Sequence, residues 1–332
     1  MKIAIDSGPL KSGDSVRGIG VYTRELLKAI NLEAIDATNS DLSSYDIVDF
    51  TAFNPFRISV PFRKPKNTKF ILTVYDLIPL IYKEHYPPGI KGWLRWQINK
   101  YLIHKNIDAI ITISETSKKD ICRFLEIDPS KVFVTYLAPR SIFKKLNTGA
   151  FKVEIKKRYE LPDRFALYVG DINYNKNIPN LVTACKLAKI PLVIVGKQIK
   201  DIDKMDFNHP ELSHLKSVNF NEVCKLGFVP DEDLVKIYNL AQVYIQPSLY
   251  EGFGLPVLEA LACNLPVVAT KTQCLVEVLG SDFEYVDAYN VKDIARGILR
   301  PNKNKKLSRN YSWDKTAKET SDILHLISKN GK

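Results

Sequence analysis

The sequence has 332 residues, of which 45% are hydrophobic and 26% are charged, a composition typical of globular proteins that excludes a disordered or fibrous chain. This length favours two domains of ordinary size, with a ligand cleft between them. The net charge of +11 predicts an anionic partner, but no zinc-finger spacing, aromatic RNA-binding motif or basic zipper indicates that this partner is a nucleic acid.

The cysteines and the apolar runs indicate the cellular compartment. Five cysteines, an odd number without a Cys-x-x-Cys pair, argue against a disulfide framework and against a zinc site. No secretion signal precedes the first apolar run at residue 2, and no window holds the roughly 18 uncharged apolar residues of a membrane-spanning helix. We therefore expect a cytoplasmic protein, either free in solution or bound peripherally at the inner membrane face.

Short apolar runs recur along the chain and alternate with stretches of helical spacing. Because the runs are continuous, they predict parallel strands that are buried on both faces and joined by crossover helices. The predicted fold class is α/β, with Rossmann-like, doubly wound domains at 1–145 and 146–310 and a C-terminal helix at 311–332 that packs back towards the first domain. The predicted strands are 3–5, 47–48, 70–74, 109–113, 132–136, 165–169, 192–195, 225–228, 243–245, 267–269 and 284–286.

Two glycines, Gly18 and Gly20, follow the first strand and its loop in Arg-Gly-Ile-Gly-Val-Tyr-Thr, residues 17–23. A glycine lets a ligand approach the backbone closely, which makes both residues candidates for ligand contact. A tight turn without a ligand produces the same short Gly-x-Gly pattern. The sequence leaves both interpretations open.

The stretch 82–105 combines Trp93, Trp96 and Tyr101 with several Lys and Arg residues around a helical pattern. Basic and aromatic residues together are typical of a helix at a membrane interface. An amphipathic core helix with a solvated basic face explains the same pattern. We keep both interpretations, and peripheral membrane contact is predicted for this stretch.

The segment Tyr-Val-Gly-Asp-Ile-Asn-Tyr-Asn-Lys-Asn, residues 168–177, has the order of a strand, a glycine turn and a helix start. Such a turn presents backbone amides to an anion. Lys176 would supply the positive charge that neutralises a diphosphate leaving group in place of a metal ion. A solvated surface lysine is the alternative.

The most informative stretch, 244–270, has the order of a strand, a loop with two glycines, a helix and another strand. Pro256 suits the first helical position, which places Phe253, Gly254 and Leu255 just before the helix. Amides and the helix dipole favour an anion there.

Two carboxylates, Glu251 and Glu259, flank this helix start, and Gly252 and Gly254 let a ligand approach the backbone. Glu259 is suited to accept hydrogen bonds from ribose hydroxyls. Glu251 is suited to bind a transferred sugar or to stabilise positive charge at its anomeric carbon. Surface glutamates that cap or solvate a helix are the alternative.

Residues 247–263, Pro-Ser-Leu-Tyr-Glu-Gly-Phe-Gly-Leu-Pro-Val-Leu-Glu-Ala-Leu-Ala-Cys, resemble the signature of the family 4 retaining glycosyltransferases of group 1 type, in which seven residues separate two glutamates. The resemblance implies the GT-B fold, with two Rossmann-like domains facing a central cleft. It also implies that Glu259 binds ribose, that Glu251 lies at the donor sugar, and that the backbone of 253–255 binds phosphate or sugar oxygens.

Further segments extend the resemblance, namely 226–234, 266–269, 277–278 and 312–313. Many relatives carry an arginine in the 170–176 loop where this chain has Asp171 or Asn175, so phosphate binding relies more on Lys176. The remaining residues that the resemblance assigns to donor binding are Gly170, Asp171, Asn175, Gly196, Phe228, Val229 and Gly252.

Residues 72–79, Leu-Thr-Val-Tyr-Asp-Leu-Ile-Pro, are similar to a family segment that normally carries His-Asp, whose histidine contacts the donor sugar. This chain has Tyr75 at that position, and a phenol also donates a hydrogen bond. We therefore assign Glu251 and Tyr75 as the candidate catalytic residues.

The resemblance implies a hexosyltransferase similar to the mannosyl- and rhamnosyltransferases of surface polysaccharide synthesis. Its donor substrate is a nucleoside diphosphate sugar, with GDP-mannose, UDP-glucose and dTDP-rhamnose left open, and its acceptor is a saccharide or lipid-linked hydroxyl. Transfer with retention, without a metal or another cofactor, is implied. A dehydrogenase is disfavoured because no Gly-x-Gly-x-x-Gly follows the first strand. The alternative is a non-catalytic sugar-nucleotide-binding or scaffold protein of GT-B fold.

Overall fold

A computed structural model describes residues 1–11, 18–30, 32–301, 307 and 309–329. The chain divides into two compact units. The first contains Met1–Lys83, Pro87–Ala138 and Tyr311–Lys332, and the second contains Glu84–Tyr86 and Pro139–Asn310. The domain limits predicted from the sequence stay predictions.

The first unit is built on six parallel strands. These are β1 (Ile3–Asp6), β2 (Glu33–Ile35), β3 (Ile47–Phe50), β4 (Lys69–Thr73), β5 (Ala109–Thr112) and β6 (Val132–Val134). Their order in the sheet is β2-β1-β3-β4-β5-β6. The helices of this unit within the first 138 residues are α1 (Gly8–Lys11), α2 (Gly18–Ala29), α3 (Ile78–Ile81), α4 (Gly89–Asn106) and α5 (Glu115–Leu125).

The second unit is also built on six parallel strands. These are β7 (Ala166–Val169), β8 (Leu192–Val195), β9 (Val223–Gly227), β10 (Val243–Gln246), β11 (Val267–Thr270) and β12 (Tyr285–Val286). Their order is β12-β11-β10-β7-β8-β9. Its helices are α6 (Lys152–Arg158), α7 (Ile178–Leu187), α8 (Asp231–Leu240), α9 (Leu255–Ala262), α10 (Gln273–Leu279) and α11 (Val291–Leu299).

A last helix, α12 (Trp313–Lys329), belongs to the first unit. Its Leu324 packs against Ile47, Ile71 and Ile111 on one face of the first sheet. Short 3₁₀ helices complete the two units, at Leu42–Ser44, Pro129–Lys131, Thr148–Ala150, Tyr174–Lys176, Lys197–Lys204 and Ser213–Leu215.

The apolar strands are buried because helices cover both faces of each sheet. In the first sheet, Val48, Phe70 and Leu72 contribute to one buried cluster, whereas Ile47 and Ile71 contribute to the cluster on the opposite face. This alternation follows from the period of two residues in a strand. The predicted α/β class with two doubly wound sheets is therefore confirmed.

Each predicted strand overlaps an observed one, and the sequence pattern misses only β2 among the strands of the described residues. Of the three residues of β2, Glu33 and Ala34 are exposed and Ile35 alone is buried. An edge strand with one buried residue leaves no apolar run in the sequence. Within the described ranges, no helix has both the length and the apolar composition needed to cross a membrane.

Candidate donor-binding site

The order of the second sheet determines where a ligand is expected to bind. From the central strand β7 the chain continues to β8 and β9 on one side, and it then returns to β10 on the other side of β7. Ligands of doubly wound sheets bind at the carboxyl ends of the strands where the order reverses in this way. The loops that follow β7 and β10 are the two loops in which the sequence predicts the donor site.

Close backbone packing explains two of the predicted glycines. Gly170 follows β7 with φ +152°, and a Cβ atom there would lie 2.9 Å from the Tyr168 hydroxyl. A Cβ atom on Gly196, which follows β8, would lie 2.1 Å from the Gly170 carbonyl oxygen. The loops after β7 and β8 therefore pass each other at a distance that only glycine permits.

Asn175 joins the loops that follow β7 and β10. Its backbone carbonyl accepts a hydrogen bond from the Leu249 N–H at 2.8 Å, and its side-chain NH₂ group donates to the Tyr250 backbone carbonyl at 3.0 Å. Its side-chain oxygen accepts a hydrogen bond from the Tyr86 hydroxyl at 2.9 Å. Because these bonds use both polar groups of a buried side chain, Asn175 positions the two loops. Its direct contact with a donor stays a prediction.

Lys176 and Glu251, predicted from separate motifs, form an ion pair. The Lys176 Nζ atom lies 2.7 Å from Oε1 and 2.8 Å from Oε2 of the carboxylate. Oε1 also accepts hydrogen bonds from Gln246 at 2.7 Å and from Ser248 at 2.5 Å. The Glu251 side chain is 7% exposed and that of Lys176 is 21% exposed. The carboxylate is therefore oriented by the protein itself, with the ammonium group beside it.

Glu259, the second predicted glutamate, is held by an arginine that the sequence analysis did not select. Arg140 donates from Nε to Glu259 at 2.9 Å and from Nη1 to Asp231 at 2.6 Å. The side chains of Arg140 and Glu259 are only 12% and 4% exposed. The guanidinium thus joins α9 to the first residue of α8.

Burial shifts the protonation equilibria in this cluster. It raises the pKa of Glu259 to about 7, although the Arg140 guanidinium acts in the opposite direction. Burial also opposes the charged form of Arg140, but the carboxylates of Glu259 and Asp231 outweigh it and raise the arginine pKa. Glu259 therefore titrates near neutral pH, where a change in its charge alters its capacity to accept hydrogen bonds.

The start of α9 has the expected shape, with a shift of one residue. Gly254 adopts a left-handed conformation with φ +96°, and the helix begins at Leu255, with Pro256 in its first turn. Leu255 is therefore the first helical residue, whereas the sequence pattern places it before the helix. A Cβ atom on Gly254 would lie 2.8 Å from Leu275 Cδ2, so glycine is required both for its φ angle and for packing.

The other predicted donor residues of the second unit lie in the same loops or at the end of β9. Phe253 is buried, and its carbonyl accepts a hydrogen bond from the Cys274 thiol at 3.5 Å. Phe228 is 58% exposed and Val229 is buried, both just after β9. β9 lies two strands away from β7, at the edge of the sheet. The remaining members, Asp171 and Gly252, lie in the loops that follow β7 and β10.

Three predicted residues belong to the first unit. Gly18 and Gly20 form the first turn of α2, and a Cβ atom on Gly18 would meet none of the described residues within 4 Å. The Tyr75 hydroxyl donates to the Thr51 carbonyl at 2.8 Å, and its ring packs edge-on against Tyr22 with 5.3 Å between centroids. Burial raises the pKa of Tyr75 well above 10, which keeps the phenol neutral. The catalytic assignment of Tyr75 stays a prediction.

The segment Glu84–Tyr86 and Arg140 are the main residues that the sequence analysis missed. His85 stacks on Tyr174, with 3.4 Å between ring centroids and an interplanar angle of 11°, next to the bond between Tyr86 and Asn175. No motif marks these positions. Their only sequence signal is polar or aromatic character in segments assigned to a helix and a linker.

The largest question for the second unit is whether a cavity or a metal-binding group lies elsewhere than at the predicted donor residues. A cavity of about 500 Å³ lies between α7 and the amino ends of β8 and β9, and none of the predicted donor residues lines it. Within the described part of the chain, no three His, Cys, Asp or Glu residues form a metal-binding group. The carboxyl ends of β7 and β10, where most predicted residues meet, are therefore the candidate site.

Comparison with known proteins agrees with this arrangement. Residues 152–319 match the family Glycosyl transferases group 1. The chain is 30% identical over 236 residues to the serotype-specific mannosyltransferase WbdA of Escherichia coli, which covers 69% of this chain but only 28% of WbdA. It is 28% identical over 280 residues to the O-antigen chain mannosyltransferase B of Escherichia coli, covering 77% of this chain and 70% of that protein.

Solved structures support the fold. Anabaena HepE in complex with UDP-glucose matches 98% of this chain and 100% of its own, with a TM-score of 0.63 and 14% identity. Sucrose-phosphate synthase of Thermosynechococcus elongatus matches 99% of this chain and 97% of its own, with a TM-score of 0.60 and 18% identity. These neighbours confirm the GT-B fold. Because the family matches half of its length and its relatives include mannosyltransferases, the chain belongs to the group 1 glycosyl transferase family.

Proposed function

We propose that this protein is a cytoplasmic glycosyltransferase that moves a mannosyl unit from a nucleoside diphosphate mannose to a hydroxyl of a saccharide or lipid-linked acceptor. The observation that carries the proposal is the meeting of the Lys176 loop and the Glu251 loop at the switch point between β7 and β10. Mannose is chosen among hexoses and deoxyhexoses because the relatives named above are mannosyltransferases.

The contacts of the site support a division of labour along the donor. Lys176 and the amides at the start of α9 are suited to the diphosphate, because both present positive charge to an anion. Glu259 lies further along α9 and is suited to accept hydrogen bonds from ribose. Glu251, held by Ser248 and Gln246, is suited to bind the transferred sugar. Gly18, Gly20 and Tyr75 remain proposed members of the site.

We further propose that transfer retains the anomeric configuration and requires no metal. In this mechanism the bond between the anomeric carbon and the leaving phosphate oxygen breaks, and the acceptor oxygen bonds to the same face of that carbon. The acceptor proton passes to the departing phosphate. Lys176 compensates the negative charge that develops there, and the Glu251 carboxylate stabilises positive charge at the sugar.

Turnover with GDP-mannose, UDP-glucose and dTDP-rhamnose, followed as release of the nucleoside diphosphate with and without saccharide acceptors, tests the proposal. We expect the largest kcat/KM with GDP-mannose, and nuclear magnetic resonance of the product should show the donor's anomeric configuration in a reaction that survives EDTA. Transfer from another donor alone would refute the choice of mannose. Tight donor binding without turnover on any acceptor would favour the non-catalytic alternative.

A pair of variants tests the roles of the ion-paired residues. Glu251→Gln keeps the size of the side chain, so the rate of transfer should fall about 100- to 1,000-fold while affinity for nucleoside diphosphate changes little. Lys176→Met should weaken nucleoside diphosphate binding about 10- to 100-fold, because it removes a charge-assisted contact. Glu232→Gln, at an exposed position on α8, is the matched control and should leave both quantities unchanged. Unchanged turnover of Glu251→Gln would refute its role.

A further inference from the structure

The helix α4 exposes an unusual amount of large apolar surface. Fourteen large hydrophobic side chains are exposed in the described part of the chain, and this single helix carries five of them. Ile90 is 82% exposed, Trp93 54% and Tyr101 63%, while Leu94 and Ile98 lie between them on the same side of the helix. Positions 90, 94, 98 and 101 follow helical spacing, so they form one continuous stripe. We call the exposed residues of α4 the α4 outer face.

The opposite side of α4 attaches the helix to the first unit. Leu102 and Ile103 are buried in the apolar cluster of the sheet, and Gly92 is required because a Cβ atom there would lie 2.9 Å from Pro88 Cβ. The apolar stripe is therefore not the core-facing side of the helix. This geometry removes the interpretation of the aromatic residues at 93 and 101 as core residues.

The charge of the α4 outer face has one sign. Residues 89–106 contain no Asp or Glu, and within the described residues no carboxylate pairs with Lys91, Arg95 or Lys105. Lys105 instead lies over the Tyr101 ring, 5.7 Å from its centroid. Only Lys100 is compensated, by Glu126 at 2.7 Å. Long basic side chains beside apolar ones place their charge at the rim of the apolar stripe.

The loop 54–66 lies beside α4 and has the same chemistry. Asn99 of α4 fixes this loop through its side-chain amide, which donates to the carbonyls of Asn54, Pro55 and Arg57 at 2.6–3.3 Å. The loop contains Arg and Lys residues but no Asp or Glu, and its Phe62 is 61% exposed. The loop therefore adds apolar and basic side chains next to α4, and within it Lys64 is neutralised by Asp108.

We propose that the α4 outer face binds the surface of an anionic phospholipid bilayer, with its apolar stripe inserted at the headgroup level and its basic residues against lipid phosphates. Aliphatic side chains such as Ile90 and Leu94 gain from an apolar medium, and Lys91 and Arg95 gain from negative charge. The bilayer interface supplies both in one plane. None of the candidate donor residues belongs to this surface, so the inference does not depend on the proposed function.

Sedimentation with vesicles tests this inference on the full chain. Binding to vesicles of phosphatidylcholine and phosphatidylglycerol in a 3:1 ratio should be strong at 0.1 M NaCl. It should be weak with phosphatidylcholine alone, or at 1 M NaCl, where screening is severe. Lys91→Gln with Arg95→Gln should reduce partitioning about 25-fold, about fivefold for each charge. Trp93→Ser with Leu94→Ser should reduce it further, because the inserted apolar area is lost.

The control is Lys292→Gln with Leu299→Ser on α11, which removes one exposed basic and one exposed apolar residue from a different helix. This variant should bind vesicles like the wild type, and an unchanged midpoint of thermal unfolding, followed by circular dichroism, shows that all variants fold. Equal binding to neutral and anionic vesicles would overturn the inference, and so would a loss of vesicle binding in the control as large as that in the α4 variants. A dimer that becomes monomeric only in the α4 variants would also overturn it, by identifying a second copy of the chain as the occupant.

Discussion

Replacing Arg140 by methionine removes the partner of a buried carboxylate while keeping much of the side-chain volume. In the wild type the guanidinium contacts both Glu259 and Asp231, and Glu259 is almost fully buried. Without Arg140, Glu259 must either carry an uncompensated buried charge or bind a proton. We expect it to bind a proton, because burial already raises its pKa to about 7 with the arginine present.

The sign and size of the effect follow from proton linkage. In the wild type the folded pKa of Glu259, about 7, exceeds the ordinary value of 4.5, so the folded state binds the proton more tightly. Stability contributed by this group therefore falls as pH rises from 4.5 to 7 and is constant above 7, where both states are ionised. Removal of the guanidinium raises the folded pKa further, which extends the fall above pH 7 at about 1.4 kcal/mol per pH unit.

These terms predict a pH-dependent loss of stability in Arg140→Met. Removing one partner of a buried ion pair costs about 3–5 kcal/mol, and protonation of Glu259 places the expected loss at the lower end, about 3 kcal/mol at pH 7. Between pH 7 and pH 8.5 the variant should lose about 2 kcal/mol more than the wild type. Hydrogen exchange of the α9 amides, corrected for the intrinsic exchange rate at each pH, measures this difference as an opening free energy.

The double variant Arg140→Met with Glu259→Gln is the control. It removes the titrating carboxylate, so its stability should show no additional fall between pH 7 and pH 8.5. Amides of the first unit should exchange as in the wild type, because both residues belong to the second unit. If Arg140→Met and the wild type kept a constant difference over this pH range, the buried pair would not control the protonation of Glu259, and the reasoning would be wrong.

Three further predictions concern other positions. Burial raises the pKa of Asp49 to about 7, so between pH 4 and pH 8 the wild type should lose about 4 kcal/mol more stability than Asp49→Asn. Urea unfolding followed by tryptophan fluorescence measures this difference, and equal pH profiles of stability in the two proteins would contradict it. Gly254→Ala should destabilise α9 by about 1–3 kcal/mol in hydrogen exchange, because of its positive φ and the Leu275 contact, and normal protection would contradict it. Tyr86→Phe should destabilise the loop around Asn175 by about 1 kcal/mol and raise the donor KM severalfold, whereas an unchanged KM would show that this bond does not position the site.

Much of the fold could be read from local patterns in the sequence. Continuous apolar runs such as 70–74 and 109–113 specify strands that are buried on both faces, and their alternation with helices specifies parallel sheets. The same patterns do not reveal β2, because burial of Ile35 alone leaves no run. Local patterns thus determine elements whose burial is complete, and they fail where an edge strand is half exposed.

In the candidate site, the individual residues could be predicted from the sequence, but their pairing could not. Glu251, Glu259 and Lys176 stand in motifs whose strand-loop-helix order is visible in the sequence, and this order also predicts the glycines beside them. The pairing of Lys176 with Glu251 spans 75 positions, and that of Arg140 with Glu259 spans 119. Residues so far apart along the sequence belong to no common local pattern, so their pairing could not be predicted from the sequence.

The sequence by itself determined the strands, the helix starts and the residue types suited to a diphosphate sugar, because each depends on neighbours within a few positions. Only the tertiary structure decided which of these groups meet: the reversal of strand order at β7 brings two distant loops together, and Arg140 becomes the partner of a buried carboxylate. It also decided that the apolar stripe of α4 points away from the core. Contacts between distant segments depend on chain reversal and packing, which no local pattern encodes.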